Sequence, residues 1–444
     1  MNKELRPLLT LALPIIQAEI GWMAMGLVDT WMVGPLGPAA IGAVGTGSIL
    51  YLSVMVVGMG TFLALDTFVS QNFGAGRIDE CHRWLVAGLQ LAAVLSVVLT
   101  ALSFGLVATL PWLDLHPEVL AHLKPYLTHL LWSTPPLLAY AVFRRYLQAM
   151  HVVRPIMFAL VAANIVNLAL NWLLVTGRWG FPALGVVGSA WATVFSRIAM
   201  AGFLLGVIVY RERGRASGIR NVPFNFDGNR VWRIVTLGTP AAGQMLLEVG
   251  VFATASALAG RITPAAAAAH NIVLNIVGLV FMIPFGLSSA AAVRVGHAIG
   301  RGDPAGARVA GWLAVKLAAV VMTMSAVLFV MAPAILMSPF TADASVLTIG
   351  AGLFLVASAF QLFDGMQAVT TGALRGLGET RIPMVVNLVG HWFIGLPLAY
   401  VLCFHFGWAA QGLWMGLAVG ITVTGAILLT AWHRRSRLLA QSVL

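Results

Sequence analysis

The stretch Thr-Leu-Ala-Leu-Pro at residues 10–14 returns as Thr-Leu-Gly-Thr-Pro at residues 236–240. A glycine followed four residues later by Pro-Ala-Ala, at 34–40, returns at 260–266. Both pairs are separated by 226 residues. A register held in this way indicates two homologous halves that run in the same orientation.

The repeat continues through the rest of the chain. Gly-Ala-Gly-Arg-Ile-Asp at 74–79 corresponds to Ala-Ile-Gly-Arg-Gly-Asp at 298–303, an offset of 224 residues. Four later residues recur at an offset of 227, namely Leu147, Met157, Gly180 and Gly185 with Leu374, Met384, Gly407 and Gly412. Two homologous halves in one membrane protein usually form two lobes with a substrate path between them.

Composition places this chain in a membrane. Of its 444 residues, 60% are hydrophobic and 9% are charged, whereas a soluble protein has roughly 25% charged residues. Apolar runs of about 20 residues, each long enough to cross a bilayer, follow one another with short gaps. The first begins at Pro7 and no small-residue cleavage site follows it, so we expect no removable signal peptide.

The apolar periodicity predicts an all-α polytopic membrane protein with twelve transmembrane helices in two six-helix lobes. We predict an N-terminal lobe at 1–210, a cytoplasmic linker at 211–231 and a C-terminal lobe at 232–444. The predicted helices lie at 7–33, 40–72, 84–110, 124–147, 155–176, 184–210, 232–259, 266–297, 308–334, 345–373, 382–404 and 408–432.

The net charge of +11 reports orientation rather than a nucleic-acid partner. Of 26 Lys and Arg residues, 21 fall on one side of the predicted membrane, while Lys124, Arg178 and Arg261 fall on the other. Arg197 and Lys316 lie inside predicted helices. Because Lys- and Arg-rich loops stay cytoplasmic, we predict an inner-membrane protein with both termini in the cytoplasm. Nothing in the sequence requires more than a monomer.

Acidic residues inside the predicted helices are the first candidates for a functional site, because an ionisable group in the bilayer is costly. Five of the 15 acids qualify: Glu19, Asp29, Asp66, Glu248 and Asp364. Most basic residues lie outside the predicted helices, so ion pairing of these acids is not expected. Asp66 is interpreted as a solvated acid at a helix end, and no companion residue assigns a role to Glu19.

The second half contains the densest group of polar residues. Gln361, Asp364, Gln367 and Thr371 are spaced by three, three and four residues, which places them on one helix face. Glu248 has Gln244 one turn before it. Two carboxylates with nearby amides predict an oxygen-rich site for a monovalent cation or for a proton. The alternative is two acids that are solvated separately in a wet cavity.

The first half offers Asp29 and a stripe of asparagines on the fifth predicted helix, at Asn164, Asn167 and Asn171. We interpret Asp29 with the asparagines as a functional polar cluster. Alternatively, the asparagines only form hydrogen bonds between helices. His270 is expected to bridge helices, and Cys81 and Cys403 offer neither a disulfide framework nor metal-ligand spacing.

Several motifs are missing from the sequence. No phosphate-cradling Gly-x-x-x-x-Gly-Lys sequence appears, and neither does Gly-x-Ser-x-Gly or His-Glu-x-x-His. We therefore expect neither an enzyme nor an ATP-driven pump. The prediction is a carrier without a cofactor that takes its energy from an ion gradient.

Four stretches resemble the multidrug and toxic compound extrusion (MATE) transporters. They are LVDTWMVG at 27–34, DTFVSQNFGAGR at 66–77, MIPFGLSSAAAVRVGHAIG at 282–300 and FDGMQAVTTGALRGLGETRIPM at 363–384. Together with the repeat they cover essentially the whole chain. The resemblance implies two six-helix lobes and an antiport in which sodium or a proton enters as an organic compound leaves.

The resemblance also implies roles for single residues. Glu248 and Asp364 match a glutamate and an aspartate of the NorM-like branch, which implies that they bind the coupling cation, sodium or a proton. Asp29 matches an aspartate used for proton or substrate coupling, and Asn167 and Asn171 match a polar pair on the fifth helix. The DinF-like branch has an aspartate where this chain has Asn171.

A cavity and its ligands can be predicted from the same residues. Gln244, Gln361 and Gln367 are expected to line the cavity, as is Phe360, which stands where NorM-like members often have tyrosine. The expected substrates are amphipathic organic cations, attracted by carboxylates and aromatic rings, and the expected surroundings are membrane lipid. A lipid-linked precursor flippase of related fold, a membrane-embedded enzyme and a channel are the alternatives.

Overall fold

A computed structural model describes residues 2–112, 116–213 and 224–441 of the chain. These residues form α-helices joined by short turns, with no β-strand among them. The core of the predicted linker, 214–223, lies outside the described residues. The helices are α1 (Asn2–Met32), α2 (Pro38–Thr61), α3 (Ala64–Gly74), α4 (Ile78–Thr109), α5 (Pro117–Leu130), α6 (Thr134–Ala149), α7 (Arg154–Thr176), α8 (Val186–Glu212), α9 (Gly228–Ala259), α10 (Pro264–Gly300), α11 (Pro304–Met331), α12 (Pro333–Met337), α13 (Ala344–Gly376), α14 (Arg381–Asn387), α15 (Leu396–Tyr400) and α16 (Ala409–Gln441).

Eleven helical stretches are long and apolar enough to cross a bilayer. The stretch Pro38–Gly74 joins α2 and α3, and Arg381–His405 joins α14 and α15. The remaining predicted helix corresponds to α5 and α6, which are each shorter than a full crossing and follow one another through a 3₁₀ turn at Leu131–Ser133. The prediction of an all-helical polytopic membrane protein with twelve helices in two six-helix lobes is confirmed.

Several predicted helix bounds need correction: the helix predicted at 40–72 is divided into α2 and α3, and the last helix continues from the predicted end at 432 to Gln441. The single helix predicted at 124–147 is broken because Pro135 and Pro136 supply no amide hydrogen for the turn around Leu131–Ser133. The helix predicted from residue 84 begins at Ile78 instead. Hydropathy does not reveal this start because the first turn contains the charged residues Asp79 and Glu80. Their negative charges interact favourably with the N-terminus of the helix.

The eleventh predicted helix is continuous but irregular. Between α14 and α15 the chain adopts a π-helix at Leu388–Gly395, and a second one follows at Val401–His405. Pro397, at the start of α15, cannot donate a backbone hydrogen bond to the preceding turn. The local widening to π geometry is one of the ways in which a membrane helix accommodates a proline.

The described chain divides into two compact units. The first contains Met1–Ile16 and Gly243–Leu444, and the second contains Gln17–Ala242. The first unit therefore includes the beginning of α1, and the second unit includes the beginning of α9. The two division points are 226 residues apart, which is the offset of the sequence repeat. The predicted lobe bounds of 1–210 and 232–444 stay a prediction.

Helix α13 is the centre of the unit that contains Gly243–Leu444, where it packs against α10, α11 and α16. Glycines make this close packing possible. A Cβ atom on Gly372 would overlap the backbone carbonyl of Ser288 in α10, and one on Gly376 would overlap that of Ala292. The polar face of α13 is held in place by this contact with α10.

We expect Gly372→Val to destabilise the protein by about 1–3 kcal/mol, the usual cost of overpacking a filled core. The matched control is Gly278→Val in α10, because a Cβ atom there meets nothing within 4 Å. Thermal unfolding of the two purified variants in detergent measures the difference. Equal unfolding temperatures would contradict the close α10–α13 contact.

Candidate functional site

Asp29 lies near the end of α1 at the centre of a buried hydrogen-bond cluster. Its Oδ1 accepts hydrogen bonds from Asn171 Nδ2 at 2.8 Å and from Asn167 Nδ2 at 3.0 Å. Its Oδ2 accepts one from the Thr193 hydroxyl in α8 at 2.8 Å. The structure thus brings together the three predicted residues Asp29, Asn167 and Asn171, which are all buried, and adds Thr193.

The same cluster includes a cation whose role the sequence did not reveal. Arg197 lies one turn after Thr193 on α8, is buried and interacts electrostatically with Asp29. Its guanidinium lies 4.8 Å from the ring centre of Tyr51 and 5.8 Å from that of Trp22. The position of Arg197 inside an apolar predicted helix could have revealed this role, because a charged residue in a membrane helix requires a partner.

Asp364 occupies the middle of α13 in the other unit and is buried. Its Oδ1 accepts a hydrogen bond from Gln367 Nε2 at 3.1 Å, and Gln361 Nε2 donates to the Ser325 hydroxyl at 3.2 Å. The carbonyl oxygens of Gln361 and Gln367 are buried and have no hydrogen-bond partner among the described residues. The predicted polar stripe on α13 is therefore present as one buried face.

Glu248 lies on α9 and is half-buried, with Gln244 one turn before it. Its carboxyl group is close enough to Asp364 to interact with it electrostatically. Within the described part of the chain, neither acid has a Lys, Arg or His nitrogen within 4.0 Å. Phe360 is buried in the hydrophobic core of this unit, where its ring centre lies 6.2 Å from that of Trp414. Its role in lining a cavity stays a prediction.

The structure corrects the interpretation of the two remaining acids. Glu19 forms a buried ion pair with Arg144, and Asp66 forms one with Arg145, with Oδ2 and NH1 3.2 Å apart. Asp66 is fully buried rather than solvated. Both arginines were counted with the loop charges, yet they lie inside α6. The partners are 125 and 79 residues apart, so local spacing cannot reveal these pairs.

Other polar residues considered in the sequence lie between helices or inside them. Asn164 donates to the backbone carbonyl of Gly21 at 3.1 Å, which is a helix-to-helix contact. His270 contacts the Ser256 hydroxyl and the Trp414 indole, each at 2.9 Å, which confirms the prediction that it bridges helices. Cys81, which the sequence placed in a loop, is buried in the first turn of α4.

Charged and amide groups held inside membrane-spanning helices are typical of membrane transport proteins. The MatE family model matches residues 14–173 and 240–401, so it matches each copy of the repeat once. The chain belongs to this family, which confirms the resemblance found in the sequence. It is a multi-pass membrane transporter and not an enzyme.

Curated relatives match nearly the full length of the chain. The probable multidrug resistance protein NorM of Mesorhizobium japonicum is 34% identical over 98% of this chain and 95% of the relative. The protein of the same name from Rhodopseudomonas palustris is 34% identical over 98% of this chain and 92% of the relative.

Solved structures match the fold at lower identity. The eukaryotic MATE transporter AtDTX14 superposes with a TM-score of 0.87 at 22% identity, over 100% of this chain and 99% of that one. A MATE in the bent conformation gives 0.89 at 18% identity, over 98% and 96% of the two chains. These likenesses show the fold.

The contribution of the ion pair between Glu19 and Arg144 to stability can be tested directly. We expect Glu19→Gln to destabilise the protein by about 3–5 kcal/mol, because it leaves the Arg144 charge buried without its partner. The double variant Glu19→Gln/Arg144→Gln should recover a large part of this loss. Thermal unfolding of both variants in detergent measures the effect. A single variant as stable as the parent would show that the pair contributes nothing to folding.

Proposed function

We propose that the chain is a multidrug efflux transporter that exchanges sodium ions or protons for amphipathic, mostly cationic organic compounds. The names of the two curated relatives, both probable multidrug resistance proteins, support the drug-export part. The geometry of the buried acids supports the ion-coupled part.

One observation carries the proposal: the acids inside the membrane-spanning helices differ in whether a cation neutralises them. Glu19 and Asp66 are paired with arginines, and Asp29 has Arg197 as an electrostatic neighbour. Glu248 and Asp364 have no basic neighbour in the described part of the chain. Two carboxyl groups that interact electrostatically without a counter-charge repel one another when both ionise, and an incoming sodium ion or proton relieves this repulsion.

Coupling would follow from alternating access. In the outward-facing state Glu248 and Asp364 take up the cation, which lowers the affinity for bound drug. In the inward-facing state the cation leaves to the cytoplasm and drug binds again. The expected ligands of a sodium ion are the two carboxylates, with the buried carbonyl oxygens of Gln361 and Gln367 as neighbouring hard oxygen atoms.

We assign a coupling role to Asp29 rather than the main cation site. Three donors already satisfy its two oxygens, and Arg197 contributes a positive charge to the same cluster. A proton on Asp29 would weaken the hydrogen bonds from Asn167, Asn171 and Thr193. The cluster therefore offers a way to transmit protonation from α1 to α7 and α8.

The proposed setting is the inner membrane, with both termini in the cytoplasm and the protein acting as a monomer. The asymmetric distribution of Lys and Arg supports this orientation. The substrate class rests on carboxylates in an apolar surrounding, which attract organic cations.

Transport in liposomes tests both the proposal and the coupling ion. Liposomes that contain the reconstituted protein are loaded with ethidium. They are then given a sodium gradient or a pH gradient, while the other gradient is held flat. We expect Asp364→Asn and Glu248→Gln each to reduce gradient-driven dye movement by at least about tenfold, within the usual range of coupling free energies. Glu118→Gln, an exposed acid at the start of α5, is the matched control and should transport like the parent.

Each outcome of this experiment has a distinct meaning. Movement driven by sodium alone assigns Glu248 and Asp364 as a sodium site, and movement driven by pH alone makes them proton carriers, with Asp29 as a further candidate. Full transport by Asp364→Asn would refute the site. No movement under either gradient would refute drug antiport and favour the flippase alternative.

A further inference from the structure

A polar pocket with a volume of about 580 Å³ lies where α3, the start of α4 and the start of α9 meet. It belongs to the unit formed by Gln17–Ala242 and contains none of the residues of the proposed transport site. Its lining includes three arginines, Arg77, Arg230 and Arg233, and two acids, Glu80 and Asp227. The volume is within the range of small-ligand sites.

Both acids of the pocket form ion pairs with Arg230, and Glu80 also pairs with Arg83. Its Nε lies 2.7 Å from Asp227 Oδ2, and its NH1 lies 2.7 Å from Glu80 Oε2. Its backbone amide also donates to Asp227 Oδ1 at 3.0 Å, and these contacts hold the pKa of Asp227 below its ordinary value. Arg230 balances only one of these two negative charges, and Glu80 also interacts electrostatically with Arg77. Three arginines against two acids leave the lining of the pocket with a net charge of +1.

Arg233 is held over aromatic rings instead of an acid. Its guanidinium lies 5.2 Å from the ring centre of Phe68 and 5.3 Å from that of Trp84, and these two rings stack 4.2 Å apart. Arg77 donates from Nε to Asn72 Oδ1 at 3.1 Å. Within the described residues neither arginine forms an ion pair.

The charge left over in the pocket is therefore positive and is carried by planar guanidinium groups. Stacking on the aromatic pair restricts the orientation of Arg233 before any ligand arrives. A guanidinium group can donate two parallel hydrogen bonds to a phosphate, which is why arginine is favoured in phosphate sites. The chemistry of the pocket fits a phosphate group better than a cation or an apolar ligand.

The surroundings of the pocket indicate where this phosphate comes from. The residues that lead into α9 lie along α4, where Gln90 Nε2 donates to the carbonyl of Asn225 at 3.1 Å. Phe224, Phe226 and Trp232 are 71%, 69% and 65% exposed. Aromatic side chains exposed beside the end of a membrane helix are typical of the lipid–water interface. The pocket therefore lies at the level of lipid headgroups.

We propose that Arg77, Arg230 and Arg233 bind the phosphate of an anionic phospholipid headgroup. Arg77 and Arg233 donate to the phosphate oxygens, while Arg230 connects α9 to α4 and shapes the pocket. The exposed aromatics lie against the acyl chains. In the proposed orientation this is the cytoplasmic leaflet, where basic pockets beside membrane helices bind anionic headgroups.

Native mass spectrometry of the full-length protein, titrated with phosphatidylglycerol or phosphatidylcholine, tests this site. We expect Arg77→Gln and Arg233→Gln each to weaken phosphatidylglycerol binding about fivefold, since one basic residue near a membrane surface contributes about 1 kcal/mol. Arg381→Gln, an exposed arginine at the start of α14, is the matched control and should bind like the parent. Phosphatidylcholine should bind more weakly and equally to all four proteins.

A second titration with inorganic phosphate separates the two sources of this chemistry. Failure of millimolar phosphate to displace phosphatidylglycerol supports the lipid headgroup. Displacement together with direct phosphate binding that Arg233→Gln loses would replace the lipid by a soluble anion and overturn the proposal. Equal lipid binding by parent, Arg77→Gln and Arg233→Gln would also overturn it. Unfolding temperatures verify that the variants are folded, and no step depends on transport.

Discussion

The structure depends on how the charges that the helices carry into the apolar interior are compensated. A single buried charge costs several kcal/mol unless a partner or a proton compensates it. In the unit that contains most of the first repeat, three arginines of α6 and α8 serve this purpose: Arg144, Arg145 and Arg197 lie beside Glu19, Asp66 and Asp29. In the other unit no arginine lies beside Glu248 or Asp364 within the described residues. The same constraint is therefore met by arginines in one unit, whereas Glu248 and Asp364 in the other unit have no basic neighbour among the described residues.

The repeat makes this difference easy to locate. The scaffold is conserved between the two copies: α13 at 344–376 corresponds, at an offset of 227, to the segment from the start of α5 to the end of α6 at 117–149. The charges are not conserved. At the repeat offsets, Glu248, Asp364 and Asp29 correspond to Trp22, Leu137 and Ala255, and Arg144, Arg145 and Arg197 correspond to Thr371, Gly372 and Thr424. The duplicated helices thus provide one architecture, while each copy has acquired its own set of buried polar groups.

Sequence predicted the parts that depend on local or periodic patterns. Hydropathy predicted the spans, the offset of 226 predicted the two copies, and helical spacing predicted that Asn167 and Asn171 share a face. It could not predict contacts between distant helices, so the pairing of Glu19 with Arg144 was missed and Asp66 was misjudged as solvated. The break between α5 and α6 was hidden for a different reason: Leu131–Ser133 is as apolar as the helices that it joins.

The contrast between the two buried sites also bears on how an ion and a drug could be coupled. A cation bound at Asp29 would weaken three existing hydrogen bonds, and it would add positive charge to a cluster that already contains Arg197. Asp364 accepts one hydrogen bond, and two amide oxygens nearby are unused by the described residues. A transported ion must bind and leave in every cycle. A site with few existing hydrogen bonds to disturb is therefore better suited to bind it. A satisfied cluster such as that of Asp29 is better suited to hold helices in one arrangement until its charge changes. In the proposed mechanism, the division of these two tasks between the units would give a physical reason for two unlike polar sites in a chain built from two like halves.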